Sequence, residues 1–329
     1  MPGFDSVIGL EDVVNYLQKV IRTDKVAQTY IFYGEAGTGK KLLSGIFAMT
    51  LQCEKGGIEP CLECSSCRKA ETGNHPDIIT VTHEKPGSIG IDEIRKQLVG
   101  DIWIRPECGR SKIYILPEAE KMTIQAQNAL LKTLEDLPSY AKIFLLTDNA
   151  DQLLPTIRSR CVHLQMRLVS EQQIRDYLMD TCEVPDYYAE LDAAYAQGNV
   201  GKAKEVSSTG EFHNRVERTA NILSRSAHMS MGQVMECVKQ LNDEKAHIDE
   251  YLELFALWFR DVLLFKATAE VDKLVFRRQL NDIKMRASQS SYEGLEEILD
   301  AIEKVRTRLS ANVNFELTLE LLLLTIREN

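Results

Sequence analysis

The sequence has no long apolar run, no excess of positive charge and no internal repeat. Its apolar stretches, such as 321–324, fall far short of the roughly 20 residues that cross a bilayer as a helix. A membrane-spanning helix is excluded. The N-terminus lacks a basic segment followed by an apolar one, so no secretory leader is expected, and the expected location is the cytoplasm. With 39 basic and 49 acidic residues the net charge is −10. Bulk attraction to nucleic acid or to an anionic membrane is therefore excluded, although a local basic patch is not. Low-complexity tracts are absent, and with them linker-like or disordered architectures. What is present is ordinary for a folded protein: 329 residues, 44% hydrophobic and 27% charged, enough for two or three domains.

The eight cysteines are unevenly placed. Cys108, Cys161, Cys182 and Cys237 are scattered, whereas Cys53, Cys61, Cys64 and Cys67 form the pattern Cys-x7-Cys-x2-Cys-x2-Cys. A cytoplasmic chain keeps its thiols reduced, so a disulfide framework is not expected. Four thiolates at such spacing can surround one tetrahedral Zn²⁺. Four unrelated buried cysteines would be the alternative. Pro60, Glu63, Ser65 and Ser66, interleaved with them, are poor core residues and argue for the metal. A closed four-Cys set leaves no open coordination position, so the zinc is expected to be structural. His75 and His83 read as ordinary loop residues.

Up to about residue 165, short β-branched or apolar runs at 31–33, 78–81, 113–116 and 143–146 alternate with helical patterns at 11–22, 91–99 and 123–137. That alternation predicts an α/β domain with a mostly parallel sheet. Beyond it the strand signals stop. Ser170 with Gln173 three positions on predicts a capped helix to about 180. Helical patterns continue at 186–197, 202–207, 248–269, 292–309 and 315–326. A break of small polar residues at 207–210 suggests a boundary. The Trp258/Phe259 stripe reads as core or subunit interface.

Gly34-Glu35-Ala36-Gly37-Thr38-Gly39-Lys40-Lys41 lies between a predicted strand and a predicted helix. This is the setting in which a phosphate-binding loop is credible: glycines let backbone N–H groups turn toward phosphate oxygens, and Lys40 adds a charge. The Ser or Thr hydroxyl that would hold Mg²⁺ is missing, however, and Lys41 stands in its place. On the strand 113–116, where a strand-end Asp would organise the metal, the chain has Pro117, leaving only Glu118. Two losses from one coordination shell predict that no functional Mg²⁺ site, and no intrinsic ATP hydrolysis, remains. Whether ATP or ADP still binds through Gly34, Gly37, Thr38, Gly39, Lys40 and Lys41 stays open.

The phosphate loop, the cysteine cluster after its helix, Asn128-Ala129-Leu130-Leu131-Lys132-Thr133-Leu134-Glu135-Asp136 and Thr156-Ile157-Arg158-Ser159-Arg160-Cys161 occur in this order. Together they resemble the bacterial clamp-loader family of AAA+ proteins, and the end of the chain, from Asn312 to Leu321, is similar to that family's collar. The resemblance covers the whole chain. It implies a RecA-like AAA+ core with a zinc insert at 53–67 (residues 1–165), a small helical lid (166–208) and an all-α collar for oligomerisation (209–329). It further implies a part in the DNA polymerase III clamp loader, alongside gamma/tau and delta subunits, with sliding clamp and primed DNA met through the assembly. The Arg of Ser-Arg-Cys, here Arg160, would act in trans as an arginine finger on a neighbour's ATP, with Arg158 a nearby alternative donor. Thr147 falls where active relatives sense nucleotide state, although a plain strand-end turn residue reads equally well.

Within the family, Lys41 and Pro117 set this chain apart from the gamma/tau ATPases and with the subunit type whose nucleotide motifs have decayed. Gly201, in Gly198-Asn199-Val200-Gly201-Lys202, agrees, since the ATPases carry an Arg at that position. The chain also stops soon after the collar, whereas tau continues. The alternatives are a gamma/tau-type ATPase with an atypical metal shell and a zinc-dependent nucleic-acid-binding regulator. The acidic balance and the few basic residues near the cysteines argue against the second.

Overall fold

A computed structural model describes residues 3–83, 85–208 and 210–329. Met1, Pro2, Glu84 and Thr209 lie outside the described residues, and Thr209 belongs to the break expected as a boundary. The chain forms two compact units. One holds the chain to Tyr177 together with Gly198–Lys202, and the other holds Leu178–Gln197 with Ala203–Asn329. The stretch expected as a lid contributes residues to both.

The first unit is built on a parallel sheet of five strands, β1 (Thr29–Tyr33), β2 (Ile78–Thr80), β3 (Lys112–Leu116), β4 (Ala141–Thr147) and β5 (Val162–Gln165), in the order β2-β3-β4-β1-β5. β3 and β4 are buried along their whole length, as strands covered on both faces must be. Side chains alternate between two cores. Tyr30, Phe32, Phe47 and Phe144 fill one, and Ile31, Tyr114, Leu116, Ile143 and Leu145 the other. Phe47 stacks on Phe144 with centroids 5.1 Å apart, which seats the helix after β1 on the sheet.

β5 was not expected from the sequence. It is an edge strand of four residues in which only Leu164 is buried, too short and too polar to give a clear alternation. The helices of this unit are α1 (Glu11–Arg22), α2 (Lys40–Gln52), α3 (Ser65–Glu71), α4 (Ile91–Ile94), α5 (Ile124–Glu135) and α6 (Pro155–Arg158). α4 runs on as a wider π-type turn over Arg95–Val99, completing the helix expected at 91–99. Thr123 caps α5 by accepting the N–H of Ala126.

α7 (Glu171–Cys182) begins as expected, with the Ser170 hydroxyl accepting the Gln173 N–H. α8 (Asp186–Ala196) and α9 (Val200–Ser207) follow, then α10 (Gly210–Arg225), α11 (Met231–Asp243), α12 (Ile248–Thr268), α13 (Leu280–Gln289), α14 (Tyr292–Ser310) and α15 (Phe315–Glu328). The second unit is helical. Its core gathers Leu252, Phe255, Trp258 and Phe259 of α12, Ile298 of α14 and Leu322 of α15, so the Trp258/Phe259 stripe is core. Asp261, fully buried, accepts the N–H groups of Val275 and Phe276 and ties down the turn after α12. No helix among the described residues is long and apolar enough to cross a membrane.

Candidate nucleotide-type loop and metal centre

The sheet order puts the C-terminal ends of β1, β3 and β4 side by side. In an open parallel sheet this is where loops can surround a ligand. The loop after β1 reaches α2 through Gly37 (φ +83°) and Gly39 (φ +88°), left-handed positions that glycine adopts without strain. Thr38 is buried and donates to the Glu35 carbonyl at 2.8 Å. Lys40 turns its ammonium inward, to the carbonyls of Gly34 (2.5 Å) and Glu35 (2.7 Å) and to Asp148 Oδ1 (2.7 Å).

Lys41 and Pro117, the two departures from a metal-binding pattern, face one cavity. Both line a small cavity of about 80 Å³ together with His75, Thr80 and Ile115, and no carboxylate is among its lining residues. Glu118, just beyond, has a left-handed backbone (φ +51°). Its carboxylate is held by Lys121 Nζ at 2.5 Å and by His83 Nε2 at 2.8 Å. These contacts, Lys121 foremost, hold its carboxyl below the usual range. The Thr147 hydroxyl is engaged in its own turn, donating to Asn149 O (3.0 Å) and accepting Asn149 N–H (3.2 Å).

Gly201 stands directly on the loop. Its N–H donates to the Gly37 carbonyl at 3.0 Å, and a Cβ there would fall 2.6 Å from that same oxygen. The Asn199 amide donates to the Ala36 carbonyl at 2.5 Å. An arginine at 201 has no room in this arrangement. Asp148 and Asn199 were not singled out from the sequence. Asn199 is one polar residue between glycines, and Asp148 reads as a turn former.

Arg160 lies between α6 and β5. Its guanidinium pairs with Glu135 of α5 at 3.0 Å, donates to the Thr156 carbonyl at 2.9 Å and is 40% exposed. Arg158 pairs with Asp151 at 2.7 Å. The Arg160 guanidinium thus meets Glu135 and Thr156, whereas the phosphate-type loop is bonded by Thr147, Asp148, Asn199 and Gly201.

The four clustered cysteines converge, with all Sγ atoms within 4.8 Å of one another. Tetrahedral Zn–S bonds of about 2.3 Å require S···S edges of about 3.8 Å, and Cys61 Sγ to Cys67 Sγ is already 4.0 Å. Two backbone N–H groups point at sulfur, Cys64 N at Cys61 Sγ and Cys67 N at Cys64 Sγ, each at 3.4 Å. Such donors favour thiolate: the backbone N–H groups of Glu63 and Cys64 push the Cys61 thiol down to about 6, while burial pushes Cys67 up. The donor set therefore fits a tetrahedral metal.

His75 lies in the loop before β2, as expected, yet it is no surface residue. It is buried, its Nδ1 accepts the Asp77 N–H (3.1 Å), and its Nε2 lies 3.0 Å from Ser66 Oγ. With Nδ1 accepting, the proton sits on Nε2 and is donated to Ser66, whose hydroxyl donates in turn to the Gln52 carbonyl. This chain ties the cysteine module to β2. Asp77 extends it, its carboxylate accepting the N–H groups of Glu107, Cys108 and Gly109 at 2.7–2.8 Å.

Among families of known proteins, residues 9–170 match the one described as DNA polymerase III, delta subunit, and residues 213–328 match its C-terminal part. The chain is 30% identical over 320 residues to DNA polymerase III subunit delta' of Bacillus subtilis (strain 168), covering 96% of this chain and 95% of that protein. It is 27% identical over 325 residues to subunit tau of the same organism, covering 92% of this chain and 57% of tau. Among solved structures, a gamma subunit-related protein of Thermotoga maritima superposes with a TM-score of 0.51 at 21% identity, covering 96% and 99% of the two chains. That likeness carries the fold.

Proposed function

The chain belongs to the DNA polymerase III delta-prime family, and we propose from this that it is a non-hydrolysing subunit of the polymerase's clamp loader. In this reading residues 209–329, with the helices α10 to α15, serve as the collar that joins it to gamma/tau and delta subunits in the cytoplasm. The assembly then places the sliding clamp on primed DNA. Arg160 is the residue this chain lends to catalysis, stabilising charge on the phosphoryl group transferred at a neighbour's site. The four cysteines would hold a structural zinc, whose part is to fix the segment between α2 and α3 rather than to supply chemistry.

The observation that carries the reading is the shared cavity of Lys41 and Pro117. The two positions that would present a hydroxyl and a carboxylate to Mg²⁺ present an ammonium stem and a proline ring instead. The approach of Gly201 to Gly37 supports it further, since it leaves no space for a phosphate-sensing arginine. The test is steady-state ATP turnover by the chain alone and by the chain mixed with its cognate gamma and delta subunits, clamp and primed DNA. The expected result is no turnover alone and clamp- and DNA-stimulated turnover in the mixture that requires this chain. Robust turnover by the chain alone would overturn the reading.

A further inference from the structure

A phosphate bound at this loop would need the Lys40 ammonium, and that ammonium is already fully engaged. Its three N–H bonds meet three acceptors: the carbonyls of Gly34 and Glu35 and the carboxylate of Asp148. Two are neutral and belong to the loop itself. The third is a full negative charge from the turn after β4. The Lys40 side chain is 11% exposed and that of Asp148 53% exposed, so the pair is buried on the lysine side and open to water on the carboxylate side, which holds its strength to the range of a partly exposed ion pair. The turn that carries Asp148 is itself fixed. Its N–H donates to Glu120 Oε2 at 3.3 Å, and Thr147 and Asn149 bond each other on either side.

We propose that Asp148 is an internal occupant of the phosphate position at Lys40, a carboxylate standing where a phosphoryl oxygen would stand, and that it keeps this loop closed to polyphosphate anions. The inference rests on reading the chain as a non-hydrolysing P-loop protein and says what holds that loop shut. An incoming anion has to displace the carboxylate and then sit beside it, a like charge. Lys41 alone would act the other way, adding positive charge at the start of α2 and favouring anions. On this argument Asp148, rather than Lys41, accounts for a closed loop.

The experiment is calorimetric titration of the full-length chain with inorganic pyrophosphate in magnesium-free buffer, comparing wild type, Asp148→Asn and the double variant Asp148→Asn/Lys40→Ala. Asp148→Asn should bind pyrophosphate several-fold more tightly than wild type, the scale of one released, partly exposed ion pair. The double variant should lose that gain. Asp148→Ala serves as a second variant, and the melting temperature without ligand checks that each is folded. Equal affinity of wild type and Asp148→Asn, or a gain that survives in the double variant, overturns the proposal. Either outcome leaves the non-hydrolysing reading standing, because that reading is judged by turnover of the chain alone. Turnover by the chain alone would in turn leave the affinity ratio untouched.

Discussion

Replacing Arg160 by Ala separates a structural arginine from a catalytic one, because the two roles differ widely in magnitude. Structurally, the guanidinium makes one ion pair with Glu135, and both side chains are 40–49% exposed. Exposed pairs of this kind contribute about 0.2–1 kcal/mol, and the bond to the Thr156 carbonyl adds about as much again. Arg160→Ala should therefore lower stability by no more than about 2 kcal/mol. An arginine finger contributes roughly 10³–10⁵ in rate, or about 4–7 kcal/mol of activation free energy. The assay is single-turnover ATP hydrolysis in the reconstituted assembly, in which the kinetic phase of the site facing Arg160 should disappear. Glu135→Gln is the matching control: it removes the same ion pair, leaves the guanidinium, and should keep that phase within a few-fold. The reasoning is refuted if Arg160→Ala leaves all phases intact, or if Glu135→Gln is as damaging. Loss of the phase in Arg158→Ala alone would move the role to Arg158.

Purified chain should carry zinc at one equivalent by atomic emission, and Cys64→Ser should lose it and melt at lower temperature; metal-free protein with an unchanged melting curve would remove zinc from the account. Asp77→Asn leaves part of a buried three-donor cradle unsatisfied and should cost on the order of 2–4 kcal/mol in denaturant unfolding. The Asp77 carboxyl, although burial opposes its charge, is held below its usual value by the N–H groups of Glu107, Cys108 and Gly109. Its stabilisation is therefore fully present above the unfolded value of about 3.9 and is lost as pH falls through the lower folded value, a loss that Asp77→Asn should abolish in acid unfolding curves. Gly201→Arg brings a Cβ to 2.6 Å from the Gly37 carbonyl oxygen. It should destabilise the chain by about 1–3 kcal/mol without creating ATP turnover, and a stable, hydrolysing variant would contradict the packing described here.

Much of the site was legible because its signals are local. Gly37 and Gly39 need left-handed backbone within one loop, and the cysteine spacing brings its sulfurs together within one short segment. The central strands read clearly because burial on both faces demands continuous apolar runs, as in Ile113–Leu116 of β3. β5 did not read, because an edge strand needs only one buried side chain, Leu164, to find its place. The burial of His75 did not read for a related reason. A histidine in a polar loop looks exposed until Ser66 and Asp77, from either side, bond its two ring nitrogens.

From sequence reasoning alone came the class of the core, the cysteine centre, the missing hydroxyl and carboxylate, and the family to which the order of motifs belongs. These depend on residue type and near spacing, which the chain states directly. What folding added are pairings between segments far apart in the chain: Lys40 with Asp148, Ala36 and Gly37 with Asn199 and Gly201, and Arg160 with Glu135. Each joins loops at the ends of different strands or helices. Parallel strands are linked by crossovers, so their neighbouring ends come from distant positions. Which side chains meet there is fixed by sheet order and register, and those are settled only when the whole unit packs.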